Sequence, residues 1–397
     1  MPLALLALAL GAFAIGTTEF VIMGLLPEVA ADLGVPVPSA GHLISAYALG
    51  VVVGAPLLTA LSTRLPRKTV LLLFLGLFLA GNLATVLAPS FGAVFASRVL
   101  AGLPHGAYLG VGSLVAANMA GPGRQATAVS RMFLGLTVAN IVGVPAGTFL
   151  GQALGWRAAF LVVAVIALLA LAGVAAFVPR QPPAPGRGLR QEVGELARPQ
   201  VALGLTTAVF GFAGVFAVYS YISPMMTELA GMSAAGVPLV LALFGTGMTL
   251  GSLVVGPLAD RALRPTVYGA LAALALVLAV FTVTVHNPWT AAVSVVVLGA
   301  VGFAVATPLQ VLVMNKASAA PTMAAASNHS AFNMANAAGA WLGGAGISAG
   351  LGYASPAAIG AVLAVVGLGI AVLAGLLDRA GRRDAPREAA LRAAATG

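Results

Sequence analysis

The sequence predicts an all-α membrane protein of twelve transmembrane helices arranged as two six-helix bundles. Three observations carry this. Sixty per cent of the 397 residues are hydrophobic and only 7% are charged, against about 25% charged residues in a soluble domain. The apolar runs are continuous and about 20 residues long, the length a helix needs to cross a bilayer; a membrane β-barrel would show short alternating segments. One register of residues also repeats between the two halves of the chain.

The first span lies near residues 3–26. Its apolar stretch is too long for a signal-peptide core and lacks a basic leader, so it is read as a retained helix. Proline, glycine and charge punctuate the rest of the chain. The second span, 40–61, ends at the cationic loop of Arg64, Arg67 and Lys68, and the third covers 69–88. The fourth, 92–116, contains Arg98 and His105; the fifth is 128–150 and the sixth 158–178. Residues 179–199, with Arg180, Arg187, Arg190 and Arg198 among prolines and glycines, read as a linker. It divides a first bundle, 1–178, from a second, 200–397. The second bundle holds spans near 200–222, 236–258, 266–285, 290–314, 323–349 and 355–377, followed by a short basic tail.

Lysine and arginine set the orientation. With the N-terminus inside, the cytoplasmic loops take Arg64, Arg67, Lys68, Arg124, the linker arginines, Arg261, Arg264 and Lys316, and the tail adds five more arginines. Both termini are therefore expected in the cytoplasm of a cell whose cytoplasmic membrane this chain crosses many times. The net charge of +9 is explained by this asymmetry and shows no ordered basic face for nucleic acid.

At an offset of 197 residues, Pro27 meets Pro224, Gly34 meets Gly231, Gly50 meets Gly247 and Gly54 meets Gly251; Leu61, Arg64 and Arg67 meet Leu258, Arg261 and Arg264. Parallel six-span repeats imply two bundles around a central site.

Glu19 is the one acid well inside a span. An ionisable group at bilayer depth costs ~3 kcal/mol on insertion scales, so such groups usually face a cavity and act. Arg98 lies at matching depth, and the two are natural partners, as a proton-coupling site or as a static ion pair that fixes packing. The offset carries Glu19 onto Phe216, which sets a proton site in the first half opposite an aromatic wall in the second. His105 is a proton relay or a packed hydrogen-bonding residue. Asn328, His329, Asn333 and Asn336 make the eleventh span unusually polar, for substrate contact or for interhelical hydrogen bonds. Tyr47, Asn140, Tyr219, Tyr221 and Gln310 are further polar groups within spans. Neutral hydrogen-bonding groups on an apolar wall suit an uncharged, moderately polar solute.

No phosphate loop, metal-ligand cluster or nucleophile–base pair has useful spacing, and the chain has no cysteine. The sequence thus gives no sign of an enzyme, a metal site or a cofactor, and transport would draw on a gradient. The expected partners are a small-molecule solute, protons and the lipid bilayer, and the chain is read as a monomer.

At these residues the sequence resembles the major facilitator superfamily, over essentially the whole chain, and within it the twelve-span drug:proton antiporter branch. Gly16-Thr17-Thr18-Glu19-Phe20 with Gly24-Leu25-Leu26-Pro27 is similar to the first span of the arabinose-efflux and chloramphenicol-resistance subgroup, and Leu43 to Leu57 to its second span. The superfamily's loop signature is kept in Gly256-Pro257-Leu258-Ala259-Asp260-Arg261, up to Arg264. In the first half Thr63 replaces the acid, while Arg64, Arg67 and Lys68 remain. Arg98 and Gly102 match the fourth-span signature, whose arginine is implicated in proton transfer. Gly143, Pro145 and Gly147 resemble the antiporter signature, with Val144 where glycine is usual.

The resemblance implies alternating access, proton-coupled efflux of a drug-like solute, and cytoplasmic gating by Arg64, Arg67, Asp260, Arg261 and Arg264. Sugar or nucleoside efflux, proton-coupled sugar uptake and passive facilitation stay open as alternatives, as does a non-transporting membrane receptor.

Overall fold

The computed structural model describes residues 2–62, 64–120, 125–183, 198–316 and 321–395. Thr63, Arg124, Arg187 and Arg190 fall outside the described residues. Among those described, eleven helices are long and apolar enough to cross a membrane. The first half contributes spans 1 to 6. These are Pro2–Gly24, Val37–Ser62, Arg67–Leu87, Phe91–Gly102 with His105–Met119, Gln125–Val138 continued through Val144–Leu154, and Trp156–Phe177. The second half contributes Pro199–Tyr219, Val237–Arg261, Leu263–Thr284, Pro288–Lys316, Pro321–Gly346 and Ser355–Ala395 as spans 7 to 12. The eleventh, Pro321–Gly346, is the polar one anticipated from its asparagines. An even number of crossings puts both termini on one face, called here the terminal face; the opposite one is the far face.

Local chemistry modifies several predicted elements. Span 1 stops at Gly24, and a short helix, Leu26–Leu33, follows with proline in its first turn. Span 4 is two helices, because Pro104 has no N–H to donate into a continuous ladder. Span 5 passes through a π-helical turn at Ala139–Gly143. Span 12 runs on past residue 377 as one helix to Ala395.

The repeat is visible in the backbone. Gly34 and Gly231 end their helices in the left-handed region, at φ 64° and 66°, where glycine alone is unstrained. A side chain at Gly50 would collide with the carbonyl of Val99, and one at Gly247 with that of Val296. Gly54 lies equally close to Leu103 and Gly251 to Ala300, while Gly102 faces the Tyr47 carbonyl and Gly299 that of Phe244. Every pair keeps the 197 offset. Spans 2 and 4 therefore touch as spans 8 and 10 do, backbone against backbone.

The two halves meet at the far face. There the Ser45 hydroxyl donates to the Ala337 carbonyl at 3.0 Å, Gly41 faces the Tyr221 hydroxyl, and Gln152 Nε2 donates to the Ala234 carbonyl at 3.0 Å. Gly245 rests on the Asn140 backbone. One apolar cluster joins Phe20, Ile22, Leu25 and Leu43 to Phe212, Tyr219, Leu241 and Phe244. Towards the terminal face the seam opens. One turn beyond Ser45, Leu49 is 42% exposed, and Leu57 and Leu253 follow at 49% and 68%. The apolar cluster on that side, with Leu8, Ile15, Phe74, Phe78 and Val163, belongs to the first half alone.

Candidate functional site

Close packing of spans 2 and 4 brings Tyr47 against Arg98. Arg98 is fully buried, and its guanidinium lies 4.4 Å over the Tyr47 ring and 5.2 Å from the Phe160 ring. Its Nη2 donates to the Thr18 carbonyl at 3.0 Å and its Nη1 to Thr18 Oγ1 at 3.2 Å. The Thr18 hydroxyl donates in turn to Asn82 Oδ1 at 2.6 Å, and Asn82 Nδ2 to the Phe78 carbonyl at 2.8 Å. Spans 1, 2, 3, 4 and 6 thus all contribute to holding one cation.

The sequence-based expectation that Glu19 and Arg98 form an ion pair is not met. Glu19 is buried beside them, but no ion pair involves it among the described residues. The reason is that Thr18, one residue earlier on span 1, offers Arg98 both a main-chain carbonyl and a hydroxyl. Charge-assisted bonds to these acceptors satisfy two arms of the guanidinium, while its Nε has no partner.

The break in span 4 starts a new helix at His105 and turns that residue onto span 2. A 3.1 Å hydrogen bond joins Tyr47 Oη and His105 Nδ1, its direction set by the tautomer. His329 lies on span 11 of the other half, which packs against the helix that His105 begins. Arg98, Tyr47 and His105 therefore form one contiguous group in the first bundle.

Opposite Glu19 stands an aromatic wall. Phe216 stacks on Phe20, with ring centroids 6.2 Å apart, and Tyr219 meets Phe20 edge-on at 5.9 Å. Tyr219 stacks on Phe244 at 4.0 Å. Phe212 continues the wall towards Phe216, Phe303 and Phe332. Its polar groups are incompletely used. Tyr219 Oη and both ends of the Asn336 amide are buried without a hydrogen-bond partner. Asn140 and Asn333 donate to their own helices at Leu136 and His329, leaving each Oδ1 unpartnered. Asn328 and Ser220 are buried in the same unpartnered condition. Buried polar groups are normally hydrogen-bonded, so such a concentration suits a site that a ligand completes. Gln310 is half-buried and makes no hydrogen bond among the described residues; nothing joins it to this group.

The residues assigned to gating lie at the terminal face. Arg64, Asp260 and Arg261 are exposed. Arg67 donates to Gln181 Oε1 at 3.4 Å, as Asn118 does at 3.2 Å. Arg264 pairs with Asp378, which also accepts from Lys316. Asn82, Thr18 and Ser220 were missed in the sequence. A lone asparagine in the otherwise apolar third span was the available signal.

The chain is similar to known proteins along nearly its whole length. The family model described as Major Facilitator Superfamily matches residues 8–344. The inner membrane transport protein YdhP of Escherichia coli K12 is 43% identical over 364 residues, covering 92% of this chain and 94% of that protein. The putative transporter AraJ of the same organism is 36% identical over 388 residues, 97% and 98% of the two chains. A chloramphenicol resistance protein of Streptomyces lividans is 38% identical over 345 residues, 85% and 88% of the two. Among solved structures, the D-xylose-proton symporter superposes with a TM-score of 0.73 at 18% identity, over 91% of this chain and 96% of that one; this likeness concerns the fold.

Proposed function

The chain belongs to the major facilitator superfamily, and we propose that it exports a small, uncharged amphipathic solute across the cytoplasmic membrane in exchange for protons. The observation that carries this reading is the pairing of a buried, unbridged carboxyl, Glu19, with an aromatic wall whose hydrogen-bonding groups are unpartnered. A carboxyl outside any ion pair exchanges its proton without breaking a salt bridge. The wall offers flat apolar contact for a drug-sized ring, and Tyr219, Asn140, Asn333 and Asn336 offer neutral hydrogen bonds. The similarity to a chloramphenicol resistance protein supports the drug-like choice.

The basic residues favour a cytoplasmic terminal face; with that orientation the open end of the seam faces inward and the far-face contacts close the outside. Solute enters from the cytoplasm and settles between Glu19 and the wall. The bundles then rock until the far face opens. A proton taken up from outside neutralises Glu19, alters the cavity's charge by one unit and favours release. On return, the proton leaves to the cytoplasm. Arg64, Arg67, Asp260, Arg261 and Arg264 regulate closure on the cytoplasmic side. The unpartnered asparagines favour one second reading, a hydroxyl-rich solute such as a sugar or nucleoside.

The test is solute flux in proteoliposomes under an imposed pH gradient. Uphill movement of an uncharged aromatic amide, reversing when the gradient is reversed, is expected. Flux indifferent to the gradient overturns proton coupling, and preference for a permanent cation overturns the assignment of the cavity.

A further inference from the structure

Asn82 has no evident reason to be where it is. It is fully buried in span 3, on the helix face that also buries Phe74, Leu75 and Phe78, and its side chain is bonded to span 1 and to its own helix. Its Nδ2 is committed to the Phe78 carbonyl, which leaves Oδ1 as a fixed acceptor. That acceptor takes the single proton of the Thr18 hydroxyl. With its proton so engaged, Thr18 Oγ1 can only accept from Arg98 Nη1. Gly81 makes the arrangement possible, because a side chain there would collide with the Ala101 backbone and push span 3 away from span 4.

Without Asn82, the Thr18 hydroxyl would turn to its own helix, as the neighbouring Thr17 does to the Phe13 carbonyl at 2.8 Å. Arg98 would lose the side-chain half of its anchor. The closest acid on the chain is the very next residue, Glu19. We propose that Asn82 and Thr18 form a positioning relay that holds Arg98 off Glu19, so that the acid stays unbridged and able to exchange its proton.

This rests on the reading of Glu19 as the proton site. The other ionisable groups that face it are Tyr47 on span 2 and Tyr219 on span 7, both within electrostatic range; His105 stands behind Tyr47, with His329 on the span that packs against its helix. None of them is substituted in the relay variants, and among them Tyr47 is the one in contact with Arg98.

The experiment reads Glu19 directly in purified protein, as the pH titration of its carboxyl infrared band across about pH 4 to 10, identified by loss of that band in Glu19→Gln. In Thr18→Val and in Asn82→Leu, Arg98 swings to Glu19 and the midpoint moves to lower pH by about one to three units, the effect of an adjacent opposite charge. Thr18→Ser keeps the hydroxyl and restores the original midpoint. Should the Thr18→Val chain fail to fold, Asn82→Leu, which leaves span 1 intact, carries the same measurement. An unmoved midpoint in folded Asn82→Leu, while the wild-type band titrates normally, overturns the relay alone. A wild-type protein with no Glu19 band in the range overturns the proton site, and the relay with it.

Discussion

The two halves share a backbone and divide the chemistry. Glycine meets carbonyl at the same register in each, and Gly34 and Gly231 turn the chain alike. Yet the positions of Thr18, Glu19, Tyr47, Asn82, Arg98 and His105 correspond at the 197 offset to Val215, Phe216, Phe244, Ala279, Val295 and Gly302. In one half a buried charge is surrounded by acceptors and rings; in the other the same places are apolar or aromatic. Close helix packing requires small residues at fixed spots, whereas an ion in lipid is needed once and is costly to duplicate. The repeat therefore preserves the scaffold and not the site.

The largest effect should come from breaking this division at its centre. Glu19→Gln is expected to bring pH-driven accumulation to background while solute binding persists, as equilibrium binding to the same purified variant can show. Phe216→Leu, at the matching place in the other half, should instead weaken binding about tenfold, since an aromatic pair contributes about 0.5–1.5 kcal/mol beyond its area, with proton drive retained. If both changes remove the drive equally, the halves do not divide the work.

A second comparison sharpens the shared part. Gly54→Val and Gly251→Val each force a side chain into a carbonyl of the adjoining span. Overpacking of this kind costs typically about 1–3 kcal/mol, occasionally more. The two variants should lower the melting temperature in detergent by similar amounts. A marked inequality would mean that the equivalent contacts are not equivalent in energy.

Much of this fold was legible in the sequence, because span length and glycine spacing are written in residue types. So were Glu19 and Arg98, since ions at bilayer depth are conspicuous. Their relation was not. One of the two acceptors that draw Arg98 away is the Thr18 main-chain carbonyl, which every residue possesses and no composition reveals; the other is the Thr18 hydroxyl, whose orientation depends on Asn82. Phe216 was reachable through the repeat, but Phe212, Phe244, Phe303 and Phe332 look like any lipid-facing phenylalanine until the helices are packed. The break in span 4 was foreshadowed by Pro104; the turn of His105 onto Tyr47 needed the structure.

At the terminal face the division of charge runs the other way. Arg67 on span 3 holds Gln181, and Arg264 on span 9 holds Asp378; both partners obey the 197 offset, as do Asn118 and Asn315. One arginine is held by a neutral amide and the other by a carboxylate. Asp378→Asn leaves Arg264 and Lys316 half-buried without their anion and should cost about 1–3 kcal/mol, as for a charge-assisted bond removed from one side. Gln181→Glu supplies Arg67 with an anion and should raise stability slightly, by less than about 1 kcal/mol, since this site is more open to water. Melting temperatures at low and high salt check both, the Asp378 effect shrinking as salt rises.

The smallest expected effect lies at the far face, where the first half carries an ionic cap that the second half lacks at the matching positions. Asp32, at the end of helix Leu26–Leu33, accepts from the Trp156 indole at 3.0 Å and pairs with Arg157, which also donates to the Ala88 carbonyl at 3.1 Å. Leu229, Tyr353, Ala354 and Val285 occupy the matching positions of the second half. The Trp156 N–H first, and the Arg157 guanidinium after it, hold the Asp32 carboxyl below the ordinary carboxylate range. A group whose folded value is depressed stabilises the fold above the unfolded value and loses that contribution as pH falls through the folded one. The cap should therefore contribute at every pH above about 4 and weaken only below it. Because Arg157 and Asp32 keep 33% and 45% of their side-chain surface in water, screening limits the ion pair to less than about 1 kcal/mol. Asp32→Asn should lower the melting temperature by a degree or two at neutral pH and flatten its fall in acid, the amount depending on the whole-protein unfolding entropy. Since the cap joins the loops after spans 1, 3 and 5, amide exchange should quicken there and leave the second half's far-face turns unchanged. Equal quickening in both halves would show that the cap supports the seam between the bundles and does not serve the first half alone.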